Sequence, residues 1–311
     1  MKALIFIFFP CVLWDLIVSG DNWAVIVSTS RYWHNYRHLT NALAVYRIVR
    51  DQGFANSRII FMNAHDGAAC DSRNEYIGNV VVPNRFNKDS KKYSSIYNMN
   101  NMEIDYRGLD VNVESFTRVM TGSYDTHTPI SKRLDSDENS NIFLYLTGHG
   151  GDEFLKFHDN EEISSEDLMM MIDIMQQRKR FKQMFIVIDT CQAETLFQQI
   201  VPKYNNIMVL SSSLKGENSY AYKINTTIHV PTIDRFTLQM YEFFEKYKPS
   251  EIKDLTLYDL IHSFDISFLG SHTTLSGNNN DGIHQIKLSE FFGPGTRKSN
   301  WIDFNLHYIK D

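Results

Sequence analysis

The sequence has little cysteine: three residues in a chain of 311. So few thiols exclude a disulfide scaffold, and no Cys-x-x-Cys spacing offers a zinc site. His34 and His38 stand four apart, but at a loop-to-helix junction with no third ligand nearby, so they do not make a metal site either. A basic stripe is also missing. The formal net charge is −6 with Lys and Arg scattered among acids, which argues against a nucleic-acid partner. The short run Arg178-Lys179-Arg180 belongs at a helix end, where cations complement the dipole. There is no Pro/Gly/Ser-rich linker and no internal repeat, so residues 21–311 read as a single catalytic domain. No later segment matches the apolar N-terminus, and Trp301–Asp311 is polar. Residues 1–20 carry Lys2, an apolar core of about 12 residues and small residues at Val18-Ser19-Gly20, the pattern of a secretory signal peptide and too short to span hydrocarbon. A luminal or secreted chain without its own membrane span is expected. Cys11 leaves with the signal, so Cys70 and Cys191 remain. If Cys191 stays a thiol, Cys70 is an odd cysteine, either bonded to another chain or free. Asn225-Thr226-Thr227 is a glycosylation sequon compatible with that compartment.

Two apolar runs each end on a reactive residue. Asn141–Thr147 leads into Gly148-His149-Gly150-Gly151, and Met184–Asp189 leads into Thr190-Cys191-Gln192. Both runs are short, β-branched and aromatic, as buried strands of a parallel sheet are. Such sheets gather chemistry at the carboxyl ends of their strands, so His149 and Cys191 can meet although about 42 positions apart. That is the minimum for a thiol nucleophile with an imidazole partner. Hence a cysteine-dependent acyl-transfer enzyme is expected.

Other elements follow from spacing. Trp23–Ser28 and Arg58–Met62 read as strands around a helix that Gly53 ends in a left-handed cap, giving a right-handed βαβ unit. Residues 63–110 read as a long surface loop or hairpin insertion. Val113–Met120 is a helix closed by Gly122, and Ser164 with Asp167 forms a capping box for the helix 164–180, whose methionines pack in the core. A helix is expected over Gln192–Val201, then a strand Ile207–Leu210, helices Phe236–Tyr247 and Leu255–Phe264, and an edge strand Ile283–Leu288. Alternating β and α gives a three-layer α/β fold.

The chemistry needs Cys191 as a thiolate. Placement at the start of the helix expected after Cys191, beside His149, would favour the anion. His149 is the candidate base, or the acid for the leaving amine. The N–H groups of Gly150 and Cys191 could hold an oxyanion, and a side chain at Gly150 would crowd the substrate carbonyl.

Across nearly the whole mature chain the sequence resembles the GPI-anchor transamidase catalytic subunits, within the legumain-related, caspase-like cysteine peptidases. The resemblance runs through Asn22–Val27, Thr29-Ser30-Arg31, Asn35-Tyr36-Arg37-His38, Tyr46-Arg47, Thr121-Gly122, Ser131–Leu134, Thr147–Gly151, Phe154–Phe157, Asp189-Thr190-Cys191-Gln192-Ala193 and Asp234-Arg235-Phe236. It implies a caspase-like fold with a mostly parallel central sheet flanked by helices. It also implies Cys191 as nucleophile, His149 as its partner, Asn35 as the residue that orients the histidine, and Ser212 in the pocket for the residue before the scissile bond. Glu103 and Asp105 match acidic ligands of the family's calcium site, where Asn56 stands in place of the commoner Asp. No cofactor is needed for the chemistry.

The implied reaction is transamidation in the endoplasmic reticulum lumen: the thiol takes the anchor-site carbonyl of a proprotein, and the amine of a GPI phosphoethanolamine resolves the thioester. Expected partners are membrane-bound transamidase subunits, one of them joined through a Cys70 disulfide. A soluble legumain-type endopeptidase is the alternative, although legumains carry an acidic-Ala-Cys arrangement and this chain has Asp189-Thr190-Cys191-Gln192. A third possibility, a scaffold retaining a dead site, is opposed by the intact His149, Cys191 and flanking glycines.

Overall fold

The computed structural model describes residues 22–293 apart from 66, 85–92, 98–101 and 279; the expected signal peptide at 1–20 and the polar stretch 301–311 lie outside the described residues. The first strand, β1 (Asn22–Ser28), is buried along its whole length and pairs in parallel with β2 (Ile59–Asn63). Between them runs α1 (Tyr36–Asp51), after which Gly53 takes φ 97°, the left-handed conformation expected of it. The insertion that follows carries a small hairpin, β3 (Val81–Pro83) with β4 (Tyr93–Ser95), and then β5 (Tyr106–Arg107) joins the edge of the main sheet beside β2.

The α2 helix (Val113–Thr121) starts at Asn112, whose side chain accepts the Ser115 N–H, and stops at Gly122 with φ 68°. The central strand β6 (Asn141–Thr147) follows. A three-stranded sheet comes next, made of β7 (Gly150–Gly151), β8 (Phe154–Phe157) and β9 (Glu161–Ser164). The capping box of Ser164 and Asp167 opens α3 (Ser165–Gln177), as expected. The basic run after α3 folds back on α2: Arg178 Nη1 donates to the Thr121 carbonyl at 2.8 Å and Arg180 Nε to Met120 at 2.9 Å. These cations satisfy carbonyls that the end of a helix leaves open. Then come β10 (Gln183–Asp189), β11 (Ile207–Ser211), α4 (Arg235–Lys246) and an edge strand β12 (Thr274–Gly277).

The seven strands lie in the order β12-β11-β10-β6-β1-β2-β5, and β12 alone runs antiparallel. Alternation along β1 divides the core in two. Ala24 and Ile26 pack with residues of α1 and α4, whereas Trp23, Val25 and Val27 pack with those of α2 and α3. Burying each large side chain in these layers contributes roughly 1.5–3 kcal/mol. Among the described residues no helix is long and apolar enough to cross a membrane.

Two expected elements differ. The stretch after Cys191 is not an α-helix: Gln192 is left-handed at φ 54°, only Ala193–Leu196 coil into a 3-10 turn, and irregular turns follow. Ile283–Leu288 is not the edge strand. Its backbone groups bond instead to 255–258, with Leu257 N–H on Ile286 O at 2.9 Å and Leu288 N–H on Leu255 O at 2.8 Å. Those bonds leave β11 free to pair with Thr274–Gly277.

Candidate active site

Register brings the site together. Ser28 of β1 lies level with Thr147 of β6, and Thr147 with Asp189 of β10. The three strands therefore stop at one height, and the segments beginning at Thr29, Gly148 and Thr190 leave side by side. Thr29 N–H donates to Thr147 O at 3.0 Å and keeps the first two exits in contact. A Cβ at Gly148 would overlap Thr29 Oγ1, and one at Gly150 would sit 2.6 Å from Thr190 Oγ1 and 2.8 Å from the Phe154 carbonyl. Contacts within the chain are thus already enough to require glycine at 150.

His149 and Asn35 are bonded. Asn35 Oδ1 lies 2.8 Å from His149 Nε2, and the amide's Nδ2 donates to the Arg31 carbonyl at 2.7 Å. With its nitrogen so engaged, Asn35 presents an acceptor to the ring, so Nε2 carries the proton and Nδ1 is left as the basic nitrogen. Burial pulls the His149 pKa below the ordinary imidazole range, helped by the charge of Arg37, while Asp159 opposes.

Cys191 is partly exposed, Cys70 is exposed, and the two are not bonded to each other. Burial pushes its thiol above the ordinary range, opposed by a backbone hydrogen bond from Ser219 and reinforced by Asp234 and Asp189. With no α-helix after Cys191, the dipole expected to favour the thiolate is absent. Both shifts favour the neutral forms, thiol and imidazole, over the thiolate–imidazolium pair.

Ser212, expected in the substrate pocket, is fully buried. Its hydroxyl takes the Thr190 N–H at 3.2 Å and donates to Thr190 O at 3.1 Å. Ser213 repeats the arrangement, donating to Thr190 O at 2.8 Å and accepting the Ala193 N–H at 3.1 Å. Both serines brace the turn that carries Cys191 rather than face a ligand.

Beneath the site lies a buried polar network that sequence reasoning did not assign. Asp189 accepts the hydroxyls of Ser219 and Thr237, each at 2.6 Å, and Asp234 accepts Asn41 Nδ2 at 2.6 Å and pairs with Arg37 Nε at 3.1 Å. The His38 ring stands edge-on to His149 with centroids 4.9 Å apart. The available signal was Asp189 itself, a carboxylate ending an otherwise apolar strand.

Three expected sites lie elsewhere. Asn225 is fully buried: its Nδ2 donates to the Tyr76 hydroxyl at 3.3 Å, and its Oδ1 accepts the Thr227 N–H at 2.8 Å and the Ile228 N–H at 3.2 Å. A glycan on that nitrogen has no room in this fold, so the sequon reads as a turn. Cys70 is the exposed last residue of the 3-10 turn Ala68–Cys70, whose two alanines are buried. Near β2, the Tyr46 hydroxyl donates to Asn56 Oδ1 at 3.0 Å and accepts the Glu103 N–H at 3.3 Å, while Asp105 accepts the Phe61 N–H at 2.8 Å. Burial pushes Asp105 up to about 7, and Glu103 adds to the rise. This all-oxygen set suits calcium in kind. Among the described residues, however, no three His, Cys, Asp or Glu gather for a metal, so Asn56 would have to supply the third side-chain oxygen.

A thiol and an imidazole at neighbouring ends of a mostly parallel, helix-flanked sheet define a caspase-like cysteine peptidase architecture. Caspase-1 from Spodoptera frugiperda shares the fold with a TM-score of 0.50 at 9% identity, covering 96% of this chain and all of that one. The chain belongs to the peptidase C13 family, whose sequence profile matches residues 22–293. It is 42% identical over 278 residues to the GPI-anchor transamidase of Saccharomyces cerevisiae, covering 89% of this chain and 65% of that protein. Against the GPI-anchor transamidase of Schizosaccharomyces pombe it is 41% identical over 291 residues, covering 93% and 72%. Against that of Homo sapiens it is 38% identical over 277 residues, covering 88% and 66%.

Proposed function

We propose that this chain is the catalytic subunit of a GPI-anchor transamidase. The observation that carries the reading is His149, its tautomer set by Asn35, leaving the strand next to the one that delivers Cys191. Likeness to the yeast transamidases selects this acyl transfer over simple peptide hydrolysis.

In the proposed reaction, Nδ1 of His149 takes the Cys191 proton as sulfur bonds to the anchor-site carbonyl carbon. The carbonyl electrons move to oxygen, and the N–H groups of Gly150 and Cys191 hold that oxyanion. Collapse breaks the C–N bond, and His149 returns the proton to the departing amine of the C-terminal signal. The GPI phosphoethanolamine amine then attacks the thioester and gives its proton to His149. The second collapse releases the Cys191 thiolate, which recovers that proton. A thioester keeps enough acyl energy for an amine to capture it when water is held back.

Cys191→Ala and His149→Ala are each expected to abolish anchor attachment in cells without unfolding the chain. A Cys191→Ala protein that assembles and still attaches anchors overturns the reading.

The same reading gives the chain an endoplasmic reticulum location, with membrane association through partner subunits. The exposed thiol of Cys70 supports an intermolecular disulfide to one of them, since such a thiol rarely stays unpaired in an oxidising lumen. On non-reducing gels of the native complex, Cys70→Ser should release this subunit as a monomer; identical migration of wild type and variant removes the tether. A structural calcium ion would be held by Asp105, Glu103 and the Asn56 amide oxygen, where it would neutralise two carboxylates and take no part in the chemistry. Chelation should then lower the unfolding midpoint, and an unmoved midpoint excludes the ion.

A further inference from the structure

We propose that Glu217 is a positioning residue for the nucleophile, acting through Gln192 from a loop that His272 clamps. The inference rests on Cys191 being the nucleophile.

Gln192, the residue after Cys191, has φ 54° and ψ 33°. A left-handed non-glycine residue persists only where its surroundings over-determine it. Here both its main chain and its side chain are held by one segment. Gln192 N–H donates to Glu217 O at 2.9 Å, and Gly216 N–H donates to Gln192 Oε1 at 2.9 Å. Gly216 itself sits at φ 82° with open space where a Cβ would be, so glycine serves the backbone turn.

The Glu217 carboxylate stiffens that segment. One oxygen accepts the Leu214 N–H at 3.1 Å and the His272 N–H at 2.8 Å, and the other lies 2.6 Å from His272 Nδ1. The loop is tied at two further points. Lys215 Nζ reaches Asp152 Oδ2 at 2.8 Å, in the turn between β7 and β8 that follows the His149 glycines. Ser219 donates its hydroxyl to Asp189 at 2.6 Å, and its backbone lies where it favours the Cys191 thiolate. Residues 214–219 therefore join the cysteine turn to the histidine hairpin. Glu217 does not touch the thiol; it holds the backbone of the residue that follows it.

The charged groups around this loop are His272 before β12, Asp152 from the hairpin turn, Lys215 on the loop and Asp189 beneath Ser219. Those acting on the thiol are Asp234, Asp189 and Arg37. The variants below leave Asp152, Lys215, Asp189, Asp234 and Arg37 in place, so a change in the thiol's titration reports the loop.

The test uses the full chain, with label at Cys191 counted by peptide mass spectrometry and Cys191→Ala as blank. A peptidyl chloromethyl ketone reports alignment, iodoacetamide across pH reports the thiol, and thermal unfolding reports the fold. Glu217→Ala should slow the peptidyl reagent about tenfold, the scale of one hydrogen bond to a charged group. It should also move the pH midpoint of iodoacetamide labelling upward, because a loosened loop draws the Ser219 backbone away from the thiolate it favours. The unfolding midpoint should barely move. Glu217→Gln, which keeps an acceptor for Leu214 and His272, should recover most of the rate. His272→Ala should reproduce the Glu217→Ala defect more weakly and serves if Glu217→Ala fails to fold. Wild-type rates and an unshifted pH midpoint in a folded Glu217→Ala or His272→Ala protein overturn the positioning role. Absence of label at Cys191 in the wild type refutes the nucleophile itself, and the inference with it.

Discussion

Asn41 and Asp234 hold each other twice. Asn41 Nδ2 lies 2.6 Å from Asp234 Oδ2, and the Asp234 N–H donates back to Asn41 Oδ1 at 2.9 Å. The exchange locks α1 to the residue that begins α4, and a further bond from Asn41 Nδ2 to Thr147 Oγ1 at 3.0 Å draws in the end of β6. Arg37 supplies the cation for Asp234. Asp189 has hydroxyl donors and, among the described residues, no cation paired with it, so burial raises its proton affinity without a charge to offset it.

Asp189→Asn tests that assignment. Burial pushes Asp189 up to about 7, with Asp234 adding to the rise. An unfolded Asp titrates near pH ~4, so between there and 7 the folded chain binds more protons than the unfolded one. The stability from this group is complete below the unfolded value and is lost as pH rises through the folded one. The amide does not ionise, so the variant's unfolding midpoint should gain on the wild type from pH 5 to 8. A constant difference across that range means that Asp189 does not hold the proton.

Removing the bond that orients His149 should slow catalysis without loosening the fold. Asn35→Ala is expected to reduce acyl transfer by roughly 10–100-fold, the worth of a hydrogen bond to a group that becomes charged. Asn35→Asp keeps an acceptor but brings a carboxylate to the ring, which raises the imidazole pKa. Its acid limb of activity should therefore shift to higher pH. Full activity in Asn35→Ala would discard the orienting role.

Shifts that favour the neutral thiol and imidazole have their own signature. Iodoacetamide labelling of Cys191 should climb continuously past the ordinary thiol range, because burial raises the thiol and lowers the imidazole. A rate plateau at acid pH would reveal a preformed thiolate–imidazolium pair instead.

For Asn225, glycosidase treatment should leave the mass of this chain unchanged at that site. Asn225→Gln should destabilise the fold by about 1–3 kcal/mol, since the buried Ile228 N–H and the part-buried Thr227 N–H lose their acceptor. A neutral substitution that also removes a glycan would restore the sequon reading.

The two reactive residues were legible because each closes a bounded apolar run, and in a parallel sheet that places them. What followed Cys191 was not. Leu196, Phe197, Ile200 and Val201 mimic a helical stripe, yet Glu194 N–H bonds to Ser213 O at 3.1 Å and ties the turn across to the segment after β11. The edge strand was missed for the opposite reason: Thr274-Leu275-Ser276-Gly277 has no apolar pattern, and Ile283 packs where a Gly277 side chain would stand. Arg37, Asn41, Asp234 and Thr237 pass for surface residues in sequence. Long-range partners, 193 positions apart for Asn41 and Asp234, make the last three interior and hold Arg37 half-buried against them.

The level ends of β1, β6 and β10 also govern when the chain becomes reactive. Asn35 and His149 are separated by 114 positions, and no local segment holds a nucleophile with its base. Contacts of that range form late, after the chain has met the entropy of closing long loops. A half-made or misfolded copy therefore carries only an ordinary cysteine. On the proposed reading, catalytic competence appears together with the completed sheet, and the fold is its own safeguard against premature acyl transfer.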